Sequence, residues 1–260
     1  MAEDIQAHRP SIKINRRDFL IAATASVGTL TLAGCGGSDD SDALVSPNAA
    51  VRAANYSATS QPAGLLYWTD FDVFENPISE AGVWRNTSEL WTKAQTYNGL
   101  AFGTNGAREM YDDSYAYLSG FGPDQHGQAV VYVDPYLTGD PHEVEILLRC
   151  ADSAQSMRCY ECLFNHRGDV QIVRWNGPFG DFTVLPTTEQ GYLGRDLRDG
   201  DVVKGIVIGN TITAYINGRP MLQATDSMWT DGQPGIGFFK RTSGQVWDLA
   251  MYSYAAWSPL

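Results

Sequence analysis

HEVEILLRC (residues 142–150), RCYECLFN (158–165) and GDVQIVRW (168–175) read as three consecutive antiparallel strands joined by short turns. In the first, Val144, Ile146, Leu148 and Cys150 fall on one face and Glu143, Glu145, Leu147 and Arg149 on the other, the two-residue period of a pleated strand. In the second, Tyr160, Cys162 and Phe164 extend the apolar face, with Cys159, Glu161, Leu163 and Asn165 opposite. In the third, Val170 and Ile172 point inward, and Gln171, Val173 and Trp175 outward. This parity predicts one core face and one solvated face, the latter gathering Glu143, Glu145, Arg149, Glu161, Gln171 and Trp175. Carboxylates and a guanidinium beside an indole form a surface suited to carbohydrate.

Downstream the same grammar repeats. Val202–Ile208 and Thr211–Ile216 are strand-like runs joined by Gly209-Asn210, and Asn217-Gly218 supplies the two positive φ angles of a tight hairpin before Arg219-Pro220-Met221-Leu222. Ile206, Ile208, Ile212, Ala214 and Ile216 are expected to share the buried face of this meander. A glycine-rich entry, DGQPGIGFF (231–239), leads into another strand, and residues 246–254 form the last, with Trp247 packed in the core. Upstream, LLYW (65–68) opens the globular part, followed by aromatics alternating with turn residues as far as Val130. No segment sustains a helical period.

The first 63 residues have a different character. Asn15-Arg16-Arg17-Asp18-Phe19-Leu20 resembles the twin-arginine export signal, and Leu32-Ala33-Gly34-Cys35 resembles the lipobox of bacterial lipoproteins, where the peptide is cut before a cysteine whose thiol is lipidated. The resemblance implies a signal peptide over 1–34, lipidation at Cys35, export across the bacterial inner membrane in the folded state, and a lipid anchor in the cell envelope. Residues 35–63 are small, polar and aperiodic, as expected of a flexible tether, which leaves one domain over 64–260. The apolar run from Ile21 to Ala33 is shorter than the ~20 residues a spanning helix needs.

Charge excludes one class of partner. The chain carries 18 basic against 30 acidic residues, a formal net charge of −12. Residues 1–34 hold four of the basic and three of the acidic ones, leaving −13 on the remainder. Nucleic acid is not an expected partner, because phosphate binding draws on a basic face.

The order of strands, from the YEC strand through the Gly-Asp turn and IVRW to DGDVVKGIVIGNTITAYINGRPMLQATD, DGQPGIGFF and a closing strand with an aspartate, resembles the concanavalin A-like, laminin G-like β-sandwich. The resemblance implies an all-β, two-sheet antiparallel jelly roll whose concave face binds glycan or carries glycan chemistry. It also implies a Ca²⁺ on the rim, for which Asp248 on the closing strand is the candidate ligand and Asp70 a second.

Three functions follow from that frame: a glycan binder using Trp175 as platform, a glycan-cleaving hydrolase or lyase, and a structural or adhesive module. The glucanases of this superfamily carry Glu-x-Asp-x-x-Glu on one strand. Here Glu143-Val144-Glu145-Ile146-Leu147-Leu148 lacks the third carboxylate, so a hydrolase would need Glu145 and Glu161 as its acid/base pair. Cys159-Tyr160-Glu161-Cys162 has metal-site spacing, but a strand throws its two thiols to opposite faces. Cys150 and Cys162 are placed on the same face, either paired or, with Cys159, as buried thiols. His126, His142 and His166 sit next to turn residues and are expected in surface loops; Trp229 and Trp175 are the indoles available for sugar stacking.

Overall fold

A computed structural model describes residues 64–104, 113–137, 139, 142–187, 189–240 and 244–259. Residues 1–63, on which the expected signal peptide, Cys35 and the expected tether fall, lie outside the described residues. Fourteen strands are formed: β1 (Gly64–Thr69), β2 (Thr92–Tyr97), β3 (Leu100–Gly103), β4 (Ser114–Tyr117), β5 (Gln125–Val133), β6 (His142–Ser153), β7 (Ser156–Asn165), β8 (Val170–Gly177), β9 (Phe182–Val184), β10 (Val202–Ile208), β11 (Thr211–Ile216), β12 (Arg219–Thr225), β13 (Gln233–Lys240) and β14 (Leu249–Pro259). Among the described residues there is no α-helix.

The strands make an all-β jelly-roll sandwich. One sheet runs β12-β11-β10-β5-β14-β3, with β1 also paired to β14; the other runs β4-β13-β6-β7-β8-β9, and β2 joins them by pairing with β3 and with β4. Pairing is antiparallel except for β2 with β4. Asn217 and Gly218 both adopt positive φ, 50° and 76°, and close the β11–β12 hairpin as the dipeptide dictates. Val144, Ile146 and Leu148 of β6, Tyr160, Cys162 and Phe164 of β7, and Val170 and Ile172 of β8 meet Val203, Val207, Ile212, Ala214 and Ile216 of the facing sheet in one continuous core.

Four local expectations are corrected. The outer face of β6, β7 and β8 is wet only in part, because Trp91, Tyr115, Leu147, Met157, Cys159, Val173 and Trp175 pack there as a second apolar cluster. In β10 the buried set is Val203, Gly205 and Val207, one position out of phase with the expected isoleucines. Val207 pairs with Ile212 and Val203 with Ile216, so Ile206 turns outward and Ile208 is 55% exposed. The last strand begins after Asp248, which leaves Trp247 at 40% exposure, edge-on to Phe102. His142 and His166 are buried, each bonded to the other's segment: the His142 N–H donates to His166 Nδ1 at 3.0 Å and the His166 N–H to the His142 carbonyl at 2.9 Å.

A bulge in β6 explains a further difference. The β6–β7 register shifts between Leu148 and Ala151, and Arg149 there has φ 54°, in the left-handed region. The extra residue reverses the parity beyond it. Cys150 therefore joins Cys159 in the outer cluster, while Cys162 stays in the main core, and all three are buried free thiols. Arg149 leaves the glutamate face: Nε donates to the Pro123 carbonyl at 2.8 Å, and its two terminal nitrogens donate to the carbonyls of Trp229 and Gly209, both at 2.7 Å.

Candidate functional site

The outer face of the second sheet places its polar residues in cross-strand rows. Tyr115, Gly237, Glu145, Leu163 and Gln171 lie level in one row, and Tyr117, Gly235, Leu147, Glu161 and Val173 in the next. Glu143 sits two residues from Glu145 on β6, opposite Phe239 of β13. Asp113 precedes β4, whose Ser114 pairs with Phe238, so its carboxylate arrives on the same face from across β13. Above these rows opens a pocket of about 290 Å³, lined among others by Asp113, Glu143, Glu161, Gln171, Trp175, Asp181, Phe182 and Phe239.

Gly237 makes room for the deepest carboxylate. A Cβ on that glycine would lie 2.0 Å from Glu145 Oε2, so the Glu145 side chain runs over β13 where any other residue would stand. Glu145 is 1% exposed, and neither of its carboxylate oxygens meets a protein hydrogen-bond donor; towards the neighbouring Asp113 carboxylate it can only donate, and only when it is itself protonated. One oxygen each from Asp113, Glu143 and Glu145 lies within 4.8 Å of the others. Burial first, and then the charges of Glu161, Asp113 and Glu143, hold the Glu145 carboxyl well above the usual carboxylate range. Burial does the same to Asp113, with Glu161 and Glu143 adding to it.

Glu161 occupies the adjoining position. Its carboxylate accepts a very short hydrogen bond from Trp175 Nε1–H, and burial outweighs that donor, pushing its pKa up to about 7. Trp175 is 9% exposed, with its ring 5.5 Å from Trp91, and Trp229 Nε1–H donates to its carbonyl at 3.0 Å. Its indole is thus largely spent on holding Glu161. The more accessible aromatic is Phe182 of β9, Trp175's cross-strand partner, which is 45% exposed on the pocket wall.

Of the residues singled out in the sequence, Glu143, Glu161, Gln171 and Trp175 line this one pocket, and Glu145 lies beneath it. Arg149 is not with them, for the reason given by the bulge. Asp248 and Asp70 are not among the residues lining this pocket. The Asp248 carbonyl accepts from the Asp134 N–H at 2.8 Å and Oδ2 from the Gln245 N–H at 2.7 Å. Trp229 packs against the core, with the Arg158 guanidinium 5.0 Å above its ring. Sequence reasoning missed Asp113, Phe182 and Gly237; only Gly237, inside an otherwise apolar strand run, carried a signal of close approach.

No protein-family model matches the sequence, and no curated protein matches it. Among solved structures, the chain is similar to the carbohydrate-binding module CBM66 from Bacillus subtilis, at 15% identity over 70% of this chain and 95% of that one, with a TM-score of 0.46. It is similar also to the β-porphyranase BpGH16B from the human gut bacterium Bacteroides plebeius, at 9% identity over 82% and 99%, TM-score 0.47. Porphyranase B from Zobellia galactanivorans aligns at 10% identity over 78% and 96%, TM-score 0.49.

Proposed function

We propose that this protein binds carbohydrate in the pocket on the outer face of its second sheet, and does so as a lipid-anchored, exported protein. The observation that carries the binding reading is the convergence of Glu143, Glu161, Gln171 and Asp181 with Phe182 in one pocket of monosaccharide dimensions. Carboxylates and an amide accept and donate to vicinal hydroxyls, while an exposed ring covers the apolar face of a pyranose. The anchoring half rests on the twin-arginine and lipobox resemblances around Arg16, Arg17 and Cys35. A glycan array followed by calorimetry tests binding. Phe182→Ala and Gln171→Ala are each expected to weaken the selected glycan at least tenfold; a wild-type protein that binds no glycan on the array, or unchanged affinity in both variants, would refute the reading. Recovery of Cys35→Ser protein in the membrane fraction alongside wild type would refute the anchor.

A second reading, glycan cleavage, is favoured by one observation: Glu161 lines the pocket and titrates near neutrality, the range in which a general acid works best. Glu145, the partner expected from the sequence, lies beneath the pocket lining, so Glu143 is the better-placed second carboxylate. Incubation with a polysaccharide panel, scored for new reducing ends and for unsaturated products, separates cleavage from binding. Activity that survives Glu161→Gln would remove Glu161 from the role.

A further inference from the structure

Asp113, Glu143 and Glu145 come from two strands that are not neighbours: Asp113 from the entry to β4, and the two glutamates from β6, with β13 between them. Such a convergence is costly. Two like charges a few ångströms apart away from bulk water repel strongly, and a third adds to it. The fold brings them together nonetheless, and leaves out a side chain at Gly237 so that Glu145 can reach across β13. Surface carboxylate clusters are usually relieved by water and loose counterions, but Asp113 and Glu145 are both buried. Moreover, Glu145 presents two buried oxygens with no protein donor on either, whereas Glu161, another buried carboxylate on this face, is given one by Trp175.

We propose that Asp113, Glu143 and Glu145 hold a hard divalent cation, of which Ca²⁺ is the best fit, at the floor of the pocket. Three oxygens no more than 4.8 Å from one another fit within a Ca²⁺ shell, in which ligands at ~2.4 Å on opposite sides of the ion stand ~4.8 Å apart. All the donors are carboxylate oxygens, with no sulfur or imidazole among them, which excludes a preference for zinc or copper. The ion supplies the partner that both Glu145 oxygens lack and cancels the repulsion that the convergence creates. Glu143 is half-buried and lines the pocket, so the ion's remaining positions face the opening, where water completes the shell. If the carbohydrate reading above also holds, vicinal sugar hydroxyls replace that water; the ion itself does not depend on that reading.

The test uses the full chain without glycan. After chelation and buffer exchange, thermal unfolding is followed as free Ca²⁺ is raised from micromolar to millimolar, with Mg²⁺ and Mn²⁺ as parallel arms and indole-sensitised terbium luminescence as a direct probe, Trp175 lying on the same pocket. The melting temperature of wild type is expected to climb with the logarithm of free Ca²⁺ once the dissociation constant is passed. Asp113→Asn and Glu145→Gln are expected to keep the fold by circular dichroism, to melt no lower than metal-free wild type, and to lose both the shift and the terbium signal. Should either fail to fold, Glu143→Gln, on the half-buried member, is expected to weaken terbium binding at least tenfold. No response to any of the three cations in wild type would overturn the proposal and leave a proton-sharing carboxyl cluster. A response that persists in the cluster variants but disappears in Asp248→Asn would overturn it in favour of the rim. Glycan binding, measured separately with and without chelator, bears on the sugar reading alone.

Discussion

A methyl group added at Gly237 would stand 2.0 Å from Glu145 Oε2, so Gly237→Ala must expel a buried carboxylate or spread β13 from β6. Overpacking of this kind costs about 1–3 kcal/mol. A lowered melting temperature with loss of the cation response is the expected outcome, checked by calorimetric scanning with and without Ca²⁺. Glu161 makes a separate prediction about pH. Its carboxyl titrates near 7 in the folded protein against an ordinary value of 4.5. Between those values the folded chain holds a proton that the unfolded chain has released, so stability is greatest below the window and falls as pH rises through it. The loss is on the order of 3 kcal/mol at most. Glu161→Gln, which keeps an oxygen acceptor for Trp175 Nε1–H, is expected to flatten that decline, and denaturant titrations at pH 5 and pH 8 would show whether the two midpoints draw together.

At the scale of the strand, alternation made β6, β7 and β8 legible, because Val144, Ile146 and Leu148, Tyr160, Cys162 and Phe164, and Val170 and Ile172 are all apolar or thiol side chains turned inward. What it did not reveal was where the alternation breaks. A bulge depends on one residue's backbone torsion, and arginine carries no mark of a left-handed φ as glycine does. The reversal beyond Arg149 therefore moved Cys150 to the other face and took the guanidinium out of the site. The β10 phase was lost for another reason: Val202, Val203, Ile206, Val207 and Ile208 are all β-branched, so both faces read as apolar, and the choice falls to pairing with β11. Asp113 was invisible because it reaches the site from a loop entry with no period around it. Arg149 itself joins the β4–β5 connection, the β10–β11 turn and the segment before β13 through three carbonyls. Arg149→Met is expected to cost about 3 kcal/mol or more, since each lost bond had a charged donor. The chemical-denaturation midpoint would report this, and glycan affinity of the fraction still folded should stay at the wild-type value, because the side chain lies outside the pocket.

For the whole molecule, the division of labour between the sheets is plain: one face of each sheet fills the shared core, and the second sheet's other face carries the charge. Of that charge, Glu161 is held by Trp175, whose ring lies 5.5 Å from Trp91's, itself 5.0 Å from Phe179's, so this carboxyl is walled by apolar surface and feels little of the surrounding salt. The sandwich also has an order in time. β1 finds its hydrogen-bond partner in β14, with Thr69 opposite Tyr254 and Gly64 opposite Pro259, and β14 in turn lies against β5. A ribosome making this chain must therefore release residues 249–259 before the earliest strand of the domain has its partner to pair with. Until then the first sheet is an open edge awaiting a piece not yet synthesised, and the domain can close only once β14 has been made.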